Sequence, residues 1–150
     1  MIHIWCGRKT AIEYLIRMFS FCPQLREQIS DLFLWLSKRT HLLDLSYCKG
    51  LTFDCIQWII TNCLELKELN LNSTELTEDS VNFLTNHLTP GITKLNLAGF
   101  EFINDEDILS LVSRCNQLST LDLQKTAITN DGLSMIITHL KTNLEKLDVR

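Results

Sequence analysis

Five leucines recur at a constant interval in this chain of 150 residues: Leu43, Leu69, Leu95, Leu121 and Leu147, each 26 after the last. A second column follows two places on, at Leu45, Leu71, Leu97, Leu123 and Val149, with the same step. This periodicity constrains the fold strongly, because a unit that repeats must pack against its own copies. Within each unit the L-x-L pair is the period-two signature of a short strand with one buried face. So short a strand buries its leucines only beside the next copy, and the columns therefore predict a parallel sheet over one elongated core. Between the strands the spacing becomes helical. Segments 51–63, 76–88, 103–115 and 128–140 align Ile56/Val81/Ile108/Leu133, Ile59/Leu84/Leu111/Ile136 and Cys63/Leu88/Cys115/Leu140 at offsets of three and four, on one helix face.

The starts of those helices are marked. Thr52, Thr77, Asn104 and Thr129 stand where side-chain oxygens accept from free first-turn amides. Asp54, Glu78, Asp79, Asp105, Glu106, Asp107 and Asp131 follow them, at the positive end of the helix dipole. Residues 41–150 carry eight Lys/Arg against fifteen Asp/Glu, a net of −7, and these seven carboxylates match that excess. Capping accounts for the acidity more simply than an acidic docking face does. The balance argues against nucleic acid as a partner of the main body, while residues 1–40, with six Lys/Arg and three Asp/Glu, are net +3.

The L-x-x-L-x-L pattern at this period is that of leucine-rich repeats. The expected fold is an α/β right-handed leucine-rich-repeat solenoid of about five to six repeats, with a parallel concave sheet and convex helices. The period continues faintly backwards through Cys22, Ser20, Phe19 and Leu25, with Arg17 breaking the leucine column. Residues 14–150 are thus expected to form the repeat domain, with a helix over 23–39, and residues 1–13 to be an N-terminal cap or degenerate repeat. The sequence stops on the strand "LEKLDVR" with no covering helix, so truncation at the C-terminus is expected.

No apolar run approaches the ~20 residues that cross a bilayer, and Arg8, Lys9 and Glu13 interrupt the opening segment, which is not a secretory signal. A cytoplasmic and/or nuclear protein with reduced cysteines is expected, without a membrane partner. The cysteines at 6, 22, 48, 55, 63 and 115 form no CxxC pair, so neither a metal nor a cofactor is expected. "CGRKT" at 6–10 matches only the end of a phosphate loop, and "NST" at 72–74 has no meaning as a glycosylation acceptor in a reducing compartment. His87 and His139 fall in last helical turns, where positive charge is favoured.

Three features are candidates for function. Alternation places Asp44, Ser46, Asn70, Asn72, Asn96, Ala98, Asp122, Gln124 and Asp148 on the face opposite the leucines, flanked by Glu68, Lys94, Thr120 and Lys146. Of these, Asp44, Ser46, Asn70, Asn72, Lys94, Asn96, Asp122 and Gln124 are the expected partner-binding residues on the concave face. Trp58, Phe83 and Met135 share a helical column, with Ser110 between, either as an exposed partner stripe or as packing between helices. Finally, "HLLDLSYC" gathers His41, Asp44, Ser46 and Cys48, the side chains of a hydrolase, within eight residues. Periodicity reads that cluster as one turn of the repeat: Cys48 gives way to Thr74 and Phe100, as a packing residue can and a nucleophile cannot, and no catalytic residue is expected.

Cysteines after the strand (Cys22, Cys48) and at helix ends (Cys63, Cys115), with "LDLSYCKGLT" and "LNLNSTELT", resemble the cysteine-containing leucine-rich-repeat class known from F-box proteins. The likeness is strongest over 92–131, in "ITKLNL", "DILSLVSRC" and "LDL", and weaker over 30–147. It implies a non-catalytic subunit that presents a protein substrate, within a cullin-based ubiquitin ligase joined through the Skp1 adaptor. Residues 1–40 lack the Leu-Pro start and helical run of an F-box, which leaves a repeat-only interaction scaffold as the alternative.

Overall fold

The two leucine columns become the buried side of a five-stranded parallel sheet. The computed structural model describes residues 40–150; the helix expected over 23–39 and the segment 1–13 lie outside them. Strands β1 (Leu42–Asp44), β2 (Glu68–Asn70), β3 (Lys94–Asn96), β4 (Thr120–Asp122) and β5 (Lys146–Asp148) alternate with helices α1 (Phe53–Asn62), α2 (Glu78–His87), α3 (Asp105–Arg114) and α4 (Asn130–Leu140). The strands lie in sequence order, and Leu43, Leu69, Leu95, Leu121 and Leu147 are consecutive partners. The ladder register is therefore the sequence period itself. Each helix packs on the next, and the core fills the space between sheet and helices.

Burial follows the columns. From β1 to β4 both leucine columns are at most 2% exposed, as are Ile59, Leu84, Leu111 and Ile136 from the helices. Beside β5, which has a strand neighbour on one side, Leu147 is half-buried and Val149 is 38% exposed.

Each strand ends after three residues, before Ser46, Asn72, Ala98 and Gln124, for a local reason. The side-chain oxygens of Asp44, Asn70, Asn96 and Asp122 accept from the backbone N–H two residues on, at 3.0, 3.0, 2.9 and 3.1 Å. Asp148 repeats the arrangement with the N–H of Arg150. The following residue, Tyr47, Ser73, Gly99 or Lys125, then takes positive φ. Cys48 N–H closes the turn on the Leu45 carbonyl (3.0 Å) and Thr74 N–H on that of Leu71 (3.3 Å), with the left-handed third residue of a type II turn. Ladder bonds continue past the strands, from Leu45 N–H to the Asn70 carbonyl and from Tyr47 N–H to that of Asn72, so the turns stack in the same register.

The helices start where the caps lie. Thr52 accepts from Cys55, Thr77 from Ser80 and Thr129 from Asp131, while Asn104 and Asp107 form a reciprocal capping box. All seven acidic residues fall in first turns. One has a second task. Asp105, in the first turn of α3, accepts from the hydroxyl and the N–H of Thr129, the cap of α4. A Cβ on Gly132 would run into Asp105 Oδ1, so a larger residue there would displace the carboxylate that holds the α4 cap.

While the strands keep a step of 26, the helix layer does not. Leu51, Leu76, Ile103 and Ile128, which pack at the helix starts, are separated by 25, 27 and 25 residues. The turns after β1 and β3 are one residue longer than those after β2 and β4, and the returns counted from the aligned buried residues Cys63 and Cys115 to the next strand are one shorter than those from Leu88 and Leu140.

Leu97→Ala should cost roughly 2–5 kcal/mol, as truncation of a buried leucine does. Asn96→Ala should cost about 1 kcal/mol, because it removes the turn bond to Ala98. Urea unfolding measures both, and equal losses would contradict the register. The bonds from Thr129's hydroxyl and then its N–H hold the Asp105 carboxyl below the usual range. A carboxylate with a depressed folded value stabilises fully above its unfolded value, and that contribution fades as pH falls through the folded one. The stability gap between wild type and Asp105→Asn should therefore be present at about pH 7 and shrink below about pH 4.

Candidate functional site

The sheet face opposite the core is hollow. A depression of about 240 Å³ runs across all five strands, lined by the row Leu42, Glu68, Lys94, Thr120, Lys146 and the row Asp44, Asn70, Asn96, Asp122. Strand pairing lines these residues up one per rung. The first row carries Lys94 and Lys146, with Glu68 bonded to Lys94 at 3.1 Å. The second row carries carboxylates at Asp44, Asp122 and Asp148. Asn96 Nδ2 donates to Asp122 Oδ2 across the ladder at 3.2 Å. Burial would raise the Asp148 carboxyl. The Gln124 side chain, the Arg150 N–H and the charges of Arg150 and Lys146 outweigh it and hold that carboxyl below the usual range.

The structure divides the expected binding residues by task. Asp44, Asn70, Asn96 and Asp122 line the depression, but each commits one oxygen to the turn that ends its strand. Those side chains are thereby fixed in orientation and are structural as well as superficial. Lys94 remains exposed on the face. Ser46, Asn72 and Gln124 sit half-buried in the turns, beyond the strands that were expected to hold them, because the captured N–H belongs to these residues. The left-handed column went unread in the sequence, since only Gly99 of its four members carries the usual glycine signal.

The residues of "HLLDLSYC" are held apart by their partners. Leu43 and Leu45 are in the core, Cys48 is buried with them, and Asp44 accepts from the Ser46 backbone. His41 Nε2 lies 3.4 Å from Glu65 Oε2. The helical column is packing: Trp58 and Phe83 lie against the core, and Phe83 meets Phe53 edge-on at 5.1 Å and stacks on His87 at 4.2 Å. Met135 and Ser110 are half-buried. His87 and His139 are in last turns, each with Nδ1 within 2.9 Å of the carbonyl four residues back, to which it donates when protonated there.

Among the described residues no three His, Cys, Asp or Glu side chains are grouped to hold a metal ion, and no helix is long and apolar enough to cross a membrane. Burial pushes the thiols of Cys63 and Cys115 up to about 11, with a hydrogen bond from Thr40 and the charge of Arg114 acting in the opposite direction. No protein-family model matches the chain.

Such thiols hold almost no thiolate near neutrality. Cys63 and Cys115 should resist iodoacetamide at about pH 8 in the folded chain and react readily in denaturant. Peptide mapping by mass spectrometry reads the difference, and fast native labelling of either would contradict the packing.

Proposed function

We propose that the repeats form a right-handed leucine-rich-repeat solenoid, whose concave sheet face recognises a protein partner. The observation that carries this reading is the hollow face itself. Two rows of mostly polar and charged side chains cross the strands in one register, and the turns fix the orientation of the second row. A pre-oriented surface loses less freedom on binding than a mobile one. The resemblance to the cysteine-containing repeats of F-box proteins, among them over 92–131 the S-phase kinase-associated F-box protein, points the role toward substrate recognition for a cullin-based ubiquitin ligase. In that role the chain works by positioning in the cytoplasm or nucleus. It holds a protein so that its lysines meet the conjugating enzyme, without catalytic residues of its own, and contact with the Skp1 adaptor falls to sequence outside the repeats.

A photocrosslinking residue at Thr120, on the sheet face, should capture protein partners in cells, whereas one at Ser134, on the helix layer, should not. The reverse pattern would overturn the reading. Mixing with purified Skp1 and cullin tests the narrower assignment. A stable complex supports the ligase role, and partners captured from Thr120 whose cellular levels do not rise when cullin-based ligases are blocked support the repeat-only scaffold.

A further inference from the structure

The left-handed position after each strand holds Tyr47, Ser73, Gly99 and Lys125, with φ of 60, 55, 91 and 56°. Glycine takes this conformation freely and short polar residues tolerate it, but a bulky side chain there is a genuine outlier. Strain of this kind persists where the surroundings enforce it, and it concentrates at functional positions. The enforcement is visible: Tyr47 N–H is held by the Asn72 carbonyl at 2.9 Å, and Cys48 closes the turn on Leu45. Burial offers no return for the aromatic ring. Tyr47 is 64% exposed, the most exposed large hydrophobic residue among those described.

Three strands along the same rim stands Lys125. It is exposed, and no carboxylate among the described residues pairs with it. Its N–H is held by the carbonyl of Arg150, whose guanidinium is also exposed and reaches Asp148 at 3.7 Å. In the same left-handed column the two rungs between them carry Ser73 and Gly99, both short. Three inter-strand spacings measure about 14 Å. An extended peptide covers that distance in about four residues.

We propose that Tyr47 and Lys125 are the two anchors of the partner site. They take an extended peptide segment that places an aromatic or long aliphatic side chain on Tyr47 and, about four residues away, an anionic side chain on Lys125. The inference rests on the sheet face being the partner surface, and it names what that partner must present. Tyrosine supplies a large amphipathic contact with little rotamer freedom to lose, as binding anchors do. The anion is a carboxylate or a phosphate.

The probes are fluorescein-labelled Gly/Ser peptides carrying one phenylalanine and one glutamate or phosphoserine, at varied separation and in both orders, titrated against the full chain by fluorescence polarisation. Affinity should peak at a separation of about three to five residues. Tyr47→Ser and Lys125→Glu should each weaken the best peptide about tenfold. Replacing its anion by lysine should restore binding to Lys125→Glu. Tighter binding of the phosphoserine series identifies a phosphorylated partner, and equal binding a carboxylate; both support the site. Tyr47→Ser carries the residue that the next turn already uses, so its melting temperature should not fall, and lost binding then reports contact rather than unfolding. A flat dependence on separation, or unchanged binding in both variants, overturns the proposal. If crosslinks from Thr120 persist in such variants, the sheet face remains the partner surface and only the two-anchor assignment fails.

Discussion

A strand of three residues cannot hold itself. It has at most two side chains to bury and no partner for its backbone except a neighbour, so each strand depends on the ladder to both sides. The constraint beneath everything else in this molecule is the coincidence of ladder register with sequence period, Leu43 to Leu69 to Leu95 to Leu121 to Leu147. Because the offset is zero at every step, each leucine meets a leucine and each outward residue meets its own counterpart. A slip of one residue would turn the leucines of a strand to the open face and its polar residues into the core.

That register also fixes how the open face is shared out. The second row is bound to the architecture, since Asp or Asn at 44, 70, 96 and 122 turns the chain out of its strand. Only residues that offer a short acceptor to the amide two places on will serve there. The first row has no such duty, and it varies from leucine through glutamate, lysine and threonine to lysine again. The rim beyond the turns varies too, from tyrosine to lysine. Identity is free to change along the first row, where the fold makes no demand, whereas the rim varies although its left-handed backbone favours glycine.

Periodicity made much of this legible without coordinates. The leucine columns, the helical faces, the four caps and the first-turn carboxylates lie where spacing puts them, because each follows from a pattern repeated several times over. What spacing concealed are the places where a side chain meets backbone or a neighbouring unit. Alternation assigns Asn96 to the outer face but does not reveal that its carbonyl holds Ala98. The left-handed column was hidden because three of its four residues, Tyr47, Ser73 and Lys125, are not glycine. Asp105 read as one more first-turn acid, whereas its carboxylate lies on the cap of the following helix, a contact fixed by how two helices pack. The candidate face was visible as a polar strip, and its division into turn-formers and free positions was not.

The alternation of longer and shorter turns carries one more consequence. Neighbouring units are matched in the sheet but out of step by one residue in the helix layer, in opposite senses, so that every second unit is alike. The smallest module that preserves both layers is therefore a pair of repeats. Duplicating or deleting a single unit would keep every leucine rung intact yet set two helices of the same phase side by side, with their packing residues displaced along the axis. Gain or loss in pairs would leave no such scar. Lengthening the open face, by engineering or by descent, is thus easiest two rungs at a time.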